Sequence, residues 1–246
     1  MCATMSDGRP SRHIDLDGVF NLRDVGGYLC ATGERTKWRR LFRSDALHRV
    51  THADLSRLVT LGVVNILDLR ASNEIEFAGL GAIMNGAFNV VSSPVGDDIA
   101  TRTGGESLAD RYLAYLSGDG MAQAITELSR LLSAPTIVSC FFGKDRSGTL
   151  IALVLSLVGV ERDVIIADYA LTSTRMGPLI SLLQRDEIYR STIERTEPSR
   201  LAADSTTMRS FLNTVDERYG SPLLWATKSG IRLDVIDRLR ENLLVR

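Results

Sequence analysis

Apolar residues recur along this chain with two different periods, and the alternation between them lays out an α/β protein. Over 52–61 the apolar positions Leu55, Leu58, Val59 and Leu61 keep helical spacing, and Gly62 stands where a helix C-terminus favours glycine. The mostly apolar run 63–69, ending in Asp68-Leu69-Arg70, has the look of a buried parallel strand. The two patterns repeat downstream: a strand over 87–91, amphipathic helices over 106–116 and 121–132, and a short strand over 136–138. A loop over 139–147 then leads into 148–160, a helix so apolar on every side that it belongs in the core. Helical spacing over 164–173, 178–189, 206–219 and 233–245 makes the C-terminal third helical, with Gly177-Pro178, Gly220-Ser221-Pro222 and Ser229-Gly230 as breaks. Near the start, Tyr28-Leu29-Cys30 and Trp38 to Arg43 flank a polar turn and predict a β-hairpin. Residues 190–205 mix alternating charges with Ser and Thr and predict the least ordered stretch.

These elements imply one domain over 14–246 behind a flexible leader, 1–13, with a central, mostly parallel sheet flanked by helices. A length of 246 residues suits one large α/β domain, and 44% hydrophobic with 24% charged residues is globular composition, which excludes a disordered chain or a coiled-coil rod. Lys and Arg number 29 against 30 Asp and Glu, so the net charge of -1 makes no case for nucleic acid, and any anion site must be local. Cys2, Cys30 and Cys140 are odd in number and unpaired in spacing, which points to a reducing, cytoplasmic setting. The N-terminus lacks the apolar core of a secretory signal, and the longest apolar stretch is too short to cross a bilayer. His13, His48 and His52 fit no metal-ligand spacing, so neither metal nor cofactor is expected.

The chemistry gathers in Ser139-Cys140-Phe141-Phe142-Gly143-Lys144-Asp145-Arg146-Ser147-Gly148, between a strand and a buried helix. A loop of this length can curl so that the backbone amides of Phe141 to Arg146 point at one centre, while the following helix directs its positive end there. Arg146 would add a bidentate fork to two phosphate oxygens. A thiol in that field ionises more readily, and the thiolate of Cys140 would face a bound phosphorus as a nucleophile. An ATP-type phosphate loop is excluded, because Asp145 follows Gly143-Lys144 where that motif needs Ser or Thr.

At this loop the sequence resembles the cysteine-dependent protein tyrosine phosphatase superfamily, whose signature is His-Cys-x5-Arg-Ser/Thr, and more narrowly the bacterial tyrosine-protein phosphatases with a Gly-Lys-Asp-Arg loop. The blocks Asn21 to Tyr28, Leu41 to Leu47, Asp68-Leu69-Arg70 with Glu74, Asp168 to Leu171, and Tyr219-Gly220-Ser221 are similar to that family's in the same order. The resemblance implies hydrolysis of phosphotyrosine, and of phosphoserine, phosphothreonine or phosphoinositides, through a phosphocysteine. The partner is then a phosphorylated protein or a phospholipid headgroup. It also implies that Asp145 is the general acid.

Asp97 and Asp98, in a turn-rich loop after a strand, are the alternative acids, and Asp110 ranks last as a helix-surface residue. Ser147 is expected to assist the thiolate, and Lys144 either to contact a second phosphate or to be a solvated lysine. Asp68 is expected to brace the loop arginine, while Arg70 pairs with Glu74. Ser139 stands where the family has histidine, which predicts weaker support of the thiolate and slower turnover. It also keeps a catalytically silent phosphate-binding module as the rival reading, with a sulfurtransferase or arsenate reductase behind it. Residues 175–205 are a candidate lid or mobile segment.

Overall fold

A computed structural model of the chain describes residues 11–85, 88–96, 107–185 and 187–245. The strands are Arg23–Asp24 (β1), Arg35–Thr36 (β2), Leu41–Ser44 (β3), Asn65–Asp68 (β4), Asn89–Ser92 (β5), Thr136–Ser139 (β6) and Leu244–Val245 (β7). A five-stranded sheet runs in the order β1-β3-β6-β4-β5, parallel throughout except for the antiparallel edge strand β1. This is the mostly parallel sheet that the apolar runs predict.

Twelve α-helices surround the sheet among the described residues: His52–Thr60 (α1), Ser72–Ala78 (α2), Leu108–Ala114 (α3), Gly120–Leu131 (α4), Arg146–Leu157 (α5), Arg162–Ala170 (α6), Ser173–Arg185 (α7), Glu187–Arg195 (α8), Pro198–Leu201 (α9), Ser205–Tyr219 (α10), Pro222–Lys228 (α11) and Leu233–Leu243 (α12). None is long and apolar enough to cross a membrane. The period of two along the strands sorts side chains between two cores. Phe42, Ile137 and Ile66 lie in register on one face and pack with Leu47, Leu58 and Val63. Leu67 and Val138, one residue on, face the larger core that contains α5. Arg43 shares their register and is therefore buried on the α5 side. Gly148 makes this possible, since a Cβ there would lie 2.6 Å from Nη2 of Arg43 and 3.2 Å from the Tyr169 ring.

Three expectations are corrected and one helix is added. The hairpin closes across 28–36 instead, with Thr36 N donating to Tyr28 O (2.9 Å) and Cys30 N to Glu34 O (2.8 Å). Arg39, with φ of 59°, then turns the chain, and Leu41–Ser44 enters the main sheet because all four residues are buried, as an interior strand requires. Helix α7 runs through Pro178 and does not break there, its Met176, Leu179 and Leu183 being buried against the neighbouring elements. The stretch 190–205 is largely helical, because Tyr189 and Ile193, one helical turn apart, both bury in that same cluster. The break at 220–222 holds, α10 ending at Tyr219, but it opens into a helix the spacing does not announce: α11, with Ser221 as its cap, accepting from Leu224 N at 3.1 Å, and Pro222 at its first position. Of the expected leader, 1–10 lie outside the described residues, whereas Arg12 is fastened to the Asp24 and Gly26 carbonyls at 2.8 and 2.6 Å.

Candidate active site

Cys140 follows the last residue of β6 and Arg146 opens α5, so the loop between them sits at the carboxyl end of a central strand. The loop's carbonyls are tied to the protein on its outer side. Phe141 O accepts from Ala46 N at 3.1 Å, and Asn21 Nδ2 donates to Phe142 O (3.2 Å) and Gly143 O (3.1 Å). Arg43 reaches Gly143 O with Nε (2.9 Å) and Lys144 O with Nη2 (3.0 Å). In a trans peptide the next residue's N–H points opposite to the carbonyl, so the amides of Phe142, Gly143, Lys144 and Asp145 turn inward. No hydrogen bond to another described residue uses them. Helix α5 also begins without a side-chain cap, leaving its own positive end directed at the ring. Gly143 allows the tightest point: its φ is +65°, and a Cβ there would lie 2.6 Å from the Ser44 and Asp45 backbone.

Cys140 is buried at the base of this ring, its Sγ 3.4 Å from Oγ of Ser147. Ser139, the last residue of β6, is buried between Ser44 and Asp68 in register. Arg146 lays both terminal nitrogens on the Glu74 carboxylate, Nη1 on Oε2 and Nη2 on Oε1, the latter at 2.7 Å, and Nη1 also approaches Leu69 O. Burial disfavours both charges, but the pairing prevails: the arginine is held further above its ordinary value, and Glu74 below the usual carboxylate range.

This exchanges the partners expected from the sequence. Asp68 does not brace the loop arginine; it grips Arg70, with Nε at 2.9 Å and Nη2 at 2.7 Å from Oδ2. The two residues are neighbours across a single position at the end of β4, so that pair closes locally, and Glu74, in the first turn of α2, is left to meet Arg146.

Asp145 takes a hydrogen bond on Oδ1 from the Tyr112 hydroxyl at 2.6 Å, and Lys144 Nζ lies 3.0 Å from the same oxygen. Burial works against its charge, yet Lys144 and Tyr112 outweigh it and hold the carboxyl below the usual range. Lys144 is neither solvated nor aimed at the ring. It is 1% exposed, and its ammonium donates to Arg200 O (2.6 Å) and Ala202 O (3.3 Å). Asp97 and Asp98 lie outside the described residues. Asp110 is engaged in capping its own helix, its Oδ2 2.7 Å from Ser107 Oγ.

The Asn21 block supports the loop, a role that its sequence alone does not disclose. Arg23 and Arg43 both bind the buried Asp168 carboxylate, at 3.2 and 3.1 Å, Tyr28 donates to it at 2.8 Å, and Arg23 Nη1 donates to Asn21 Oδ1 at 2.6 Å. Buried arginines in the blocks Asn21-Leu22-Arg23-Asp24 and Arg43-Ser44-Asp45 carried the signal, since a fully buried guanidinium requires a partner. A cleft of about 440 Å³ opens above the ring, with Cys140, Asp145, Arg146 and Glu74 at its floor and Tyr115, Phe77, Phe141 and Tyr189 among its walls. Helices α8 and α9 form one side of it through Tyr189 and Leu201, and Phe141 packs on Tyr189 with ring centroids 5.2 Å apart. No group of three or more His, Cys, Asp or Glu suited to a metal ion occurs among the described residues.

The triple specificity protein phosphatase PtpB of Mycobacterium tuberculosis is 28% identical to this chain, over 94% of it and 98% of PtpB. A putative tyrosine-protein phosphatase of Cupriavidus necator is 31% identical over 67% of this chain and 64% of that protein. The crystal structure of P. aeruginosa TpbA in complex with pTyr covers 73% of this chain and 90% of its own, at 13% identity and a TM-score of 0.38. The model of the tyrosine phosphatase family matches residues 14–245. By that match the chain belongs to the tyrosine phosphatase family.

Proposed function

We propose that this protein hydrolyses phosphotyrosine through a phosphocysteine on Cys140. The observation that carries the reading is the convergence on one cleft of a buried sulfur, four inward amides and an arginine already held in place. The sulfur attacks phosphorus and the phosphorus–oxygen ester bond breaks. Charge on the equatorial oxygens is met by the amides and the Arg146 fork, which are oriented before the reaction begins. Asp145 delivers its proton to the leaving phenoxide; a docked phosphate dianion beside it raises the carboxyl's proton affinity. Asp145 then takes a proton from water, the water oxygen attacks phosphorus, the sulfur–phosphorus bond breaks, and inorganic phosphate leaves the regenerated thiolate. Ser147, hydrogen-bonded to the sulfur, stabilises that thiolate.

Aromatic walls from Tyr115, Phe77 and Tyr189 suit an aryl ester. The triple specificity in the name of PtpB supports more than one class of phosphoester as substrate; we infer phosphoserine, phosphothreonine and phosphoinositides as further substrates, and because Lys144 is buried, a second phosphate would be met by Arg111 or Arg200, which line the same cleft. Helices α8 and α9 act as the lid. Steady release of phosphate from p-nitrophenyl phosphate, abolished in Cys140→Ser, tests the reading. Ser139 favours one rival, a phosphate-binding module, for which the wild type would release no phosphate in that assay.

A further inference from the structure

The hydroxyls of Tyr169 and Tyr112 are 2.6 Å apart, and the Tyr112 hydroxyl is 2.6 Å from Asp145 Oδ1. Both phenols are buried on helices that no loop motion need disturb, Tyr112 on α3 and Tyr169 on α6. Each hydroxyl has one proton to give. Tyr112 gives its proton to the carboxylate, so it must accept from Tyr169, and the chain runs in one direction toward Asp145. Burial raises both phenols above their ordinary values, so the protons stay on the tyrosines.

The same oxygen faces Lys144, whose three N–H groups are matched by Arg200 O, Ala202 O and Asp145 Oδ1. None is left for substrate. Resting on the reading of Asp145 as proton donor, we propose that Tyr112, backed by Tyr169, is a positioning residue that with Lys144 claims Oδ1 and leaves Oδ2 to carry the proton to the leaving oxygen. An oxygen that already accepts from a phenol and an ammonium has little affinity for a further proton, which directs protonation to Oδ2. The ionisable groups that bear on this carboxyl are Lys144 beside it, Tyr112, Arg111 and Tyr115 from the α3 segment and Tyr169 from α6, and the cleft it faces is also lined by Arg146, Glu74, Arg200 and Cys140. Tyr112 is thus a determinant of how fast poor leaving groups depart.

The test compares kcat/KM for phenyl phosphate and p-nitrophenyl phosphate across pH in wild type, Asp145→Asn, Tyr112→Phe and Tyr169→Phe. A poor leaving group needs the acid and a good one does not. Tyr112→Phe should lower kcat/KM for phenyl phosphate about tenfold more than for p-nitrophenyl phosphate. It should also move the basic limb of the phenyl phosphate profile to higher pH, because a donor that favoured the ionised carboxyl is gone. Tyr169→Phe should do the same to a smaller degree, and it decides the matter if Tyr112→Phe does not fold. Equal losses on both esters with an unmoved limb, while Asp145→Asn keeps its leaving-group bias, would overturn the role of Tyr112 and leave the acid standing. An Asp145→Asn enzyme without leaving-group bias would overturn both.

Discussion

Glu74 and Arg146, from the first turns of two different helices, meet oxygen to nitrogen twice, so that the guanidinium plane is fixed by a partner at its back. A flexible arginine would spend binding energy on its own ordering. One held by a carboxylate at its back can offer its remaining N–H groups at no such cost. Glu74 is fixed in turn, because Oε2 also accepts from Ala71 N at 2.8 Å.

Glu74→Ala should therefore lower kcat/KM on the order of 100-fold while the fold persists. Vanadate inhibition should weaken alongside it. Steady-state kinetics and inhibition constants read both effects, and retention of wild-type values would remove Glu74 from the account.

Asp168 joins the loop-supporting arginines into one unit. Burial opposes its ionisation, but Arg23 and Arg43 overcome that and push its carboxyl far below the usual range. Asp168→Asn leaves two buried guanidinium groups without their anion and should cost about 3–5 kcal/mol. The folded-state value lies below the unfolded one. The stabilisation is thus complete above the unfolded carboxylate value of about 3.9 and drains away as pH falls below it. Urea unfolding of wild type and variant should differ fully at neutral pH, with the gap narrowing in acid.

Much of this was legible in the sequence. Alternating periods exposed β4, β6 and the buried α5, because both faces of each strand and nearly all of the helix must avoid water. The Cys140 to Arg146 loop could be read as a ring of backbone amides because its geometry is local. What escaped depends on contacts across long separations. Glu74 reaches Arg146 only once α2 folds back beside the loop, and nothing in the spacing of Asp68, Arg70 and Glu74 says which acid will be consumed locally. Lys144, expected either at a second phosphate or in solvent, is instead taken up by the Arg200 and Ala202 carbonyls at the end of α9, which nothing near it in sequence announces. Polar composition over 190–205 concealed a helix whose few apolar residues bury against Phe141 and Phe142.

Gly143→Ala tests the ring itself. An alanine at φ of +65° is strained, and its Cβ meets the backbone of Ser44 and Asp45 at 2.6 Å. The loop must shift and carry its amides off the phosphate position. Turnover should fall on the order of 100-fold or more, with weakened binding of inorganic phosphate followed by calorimetry.

The decisive measurement is a rapid acid quench of the wild-type enzyme with p-nitrophenyl phosphate, followed by mass spectrometry of its peptides. A phosphoryl group on the peptide that contains Cys140, absent from Cys140→Ser, is the predicted result. A burst of nitrophenolate with that peptide unmodified, or with the phosphoryl group on any other residue, would contradict the account.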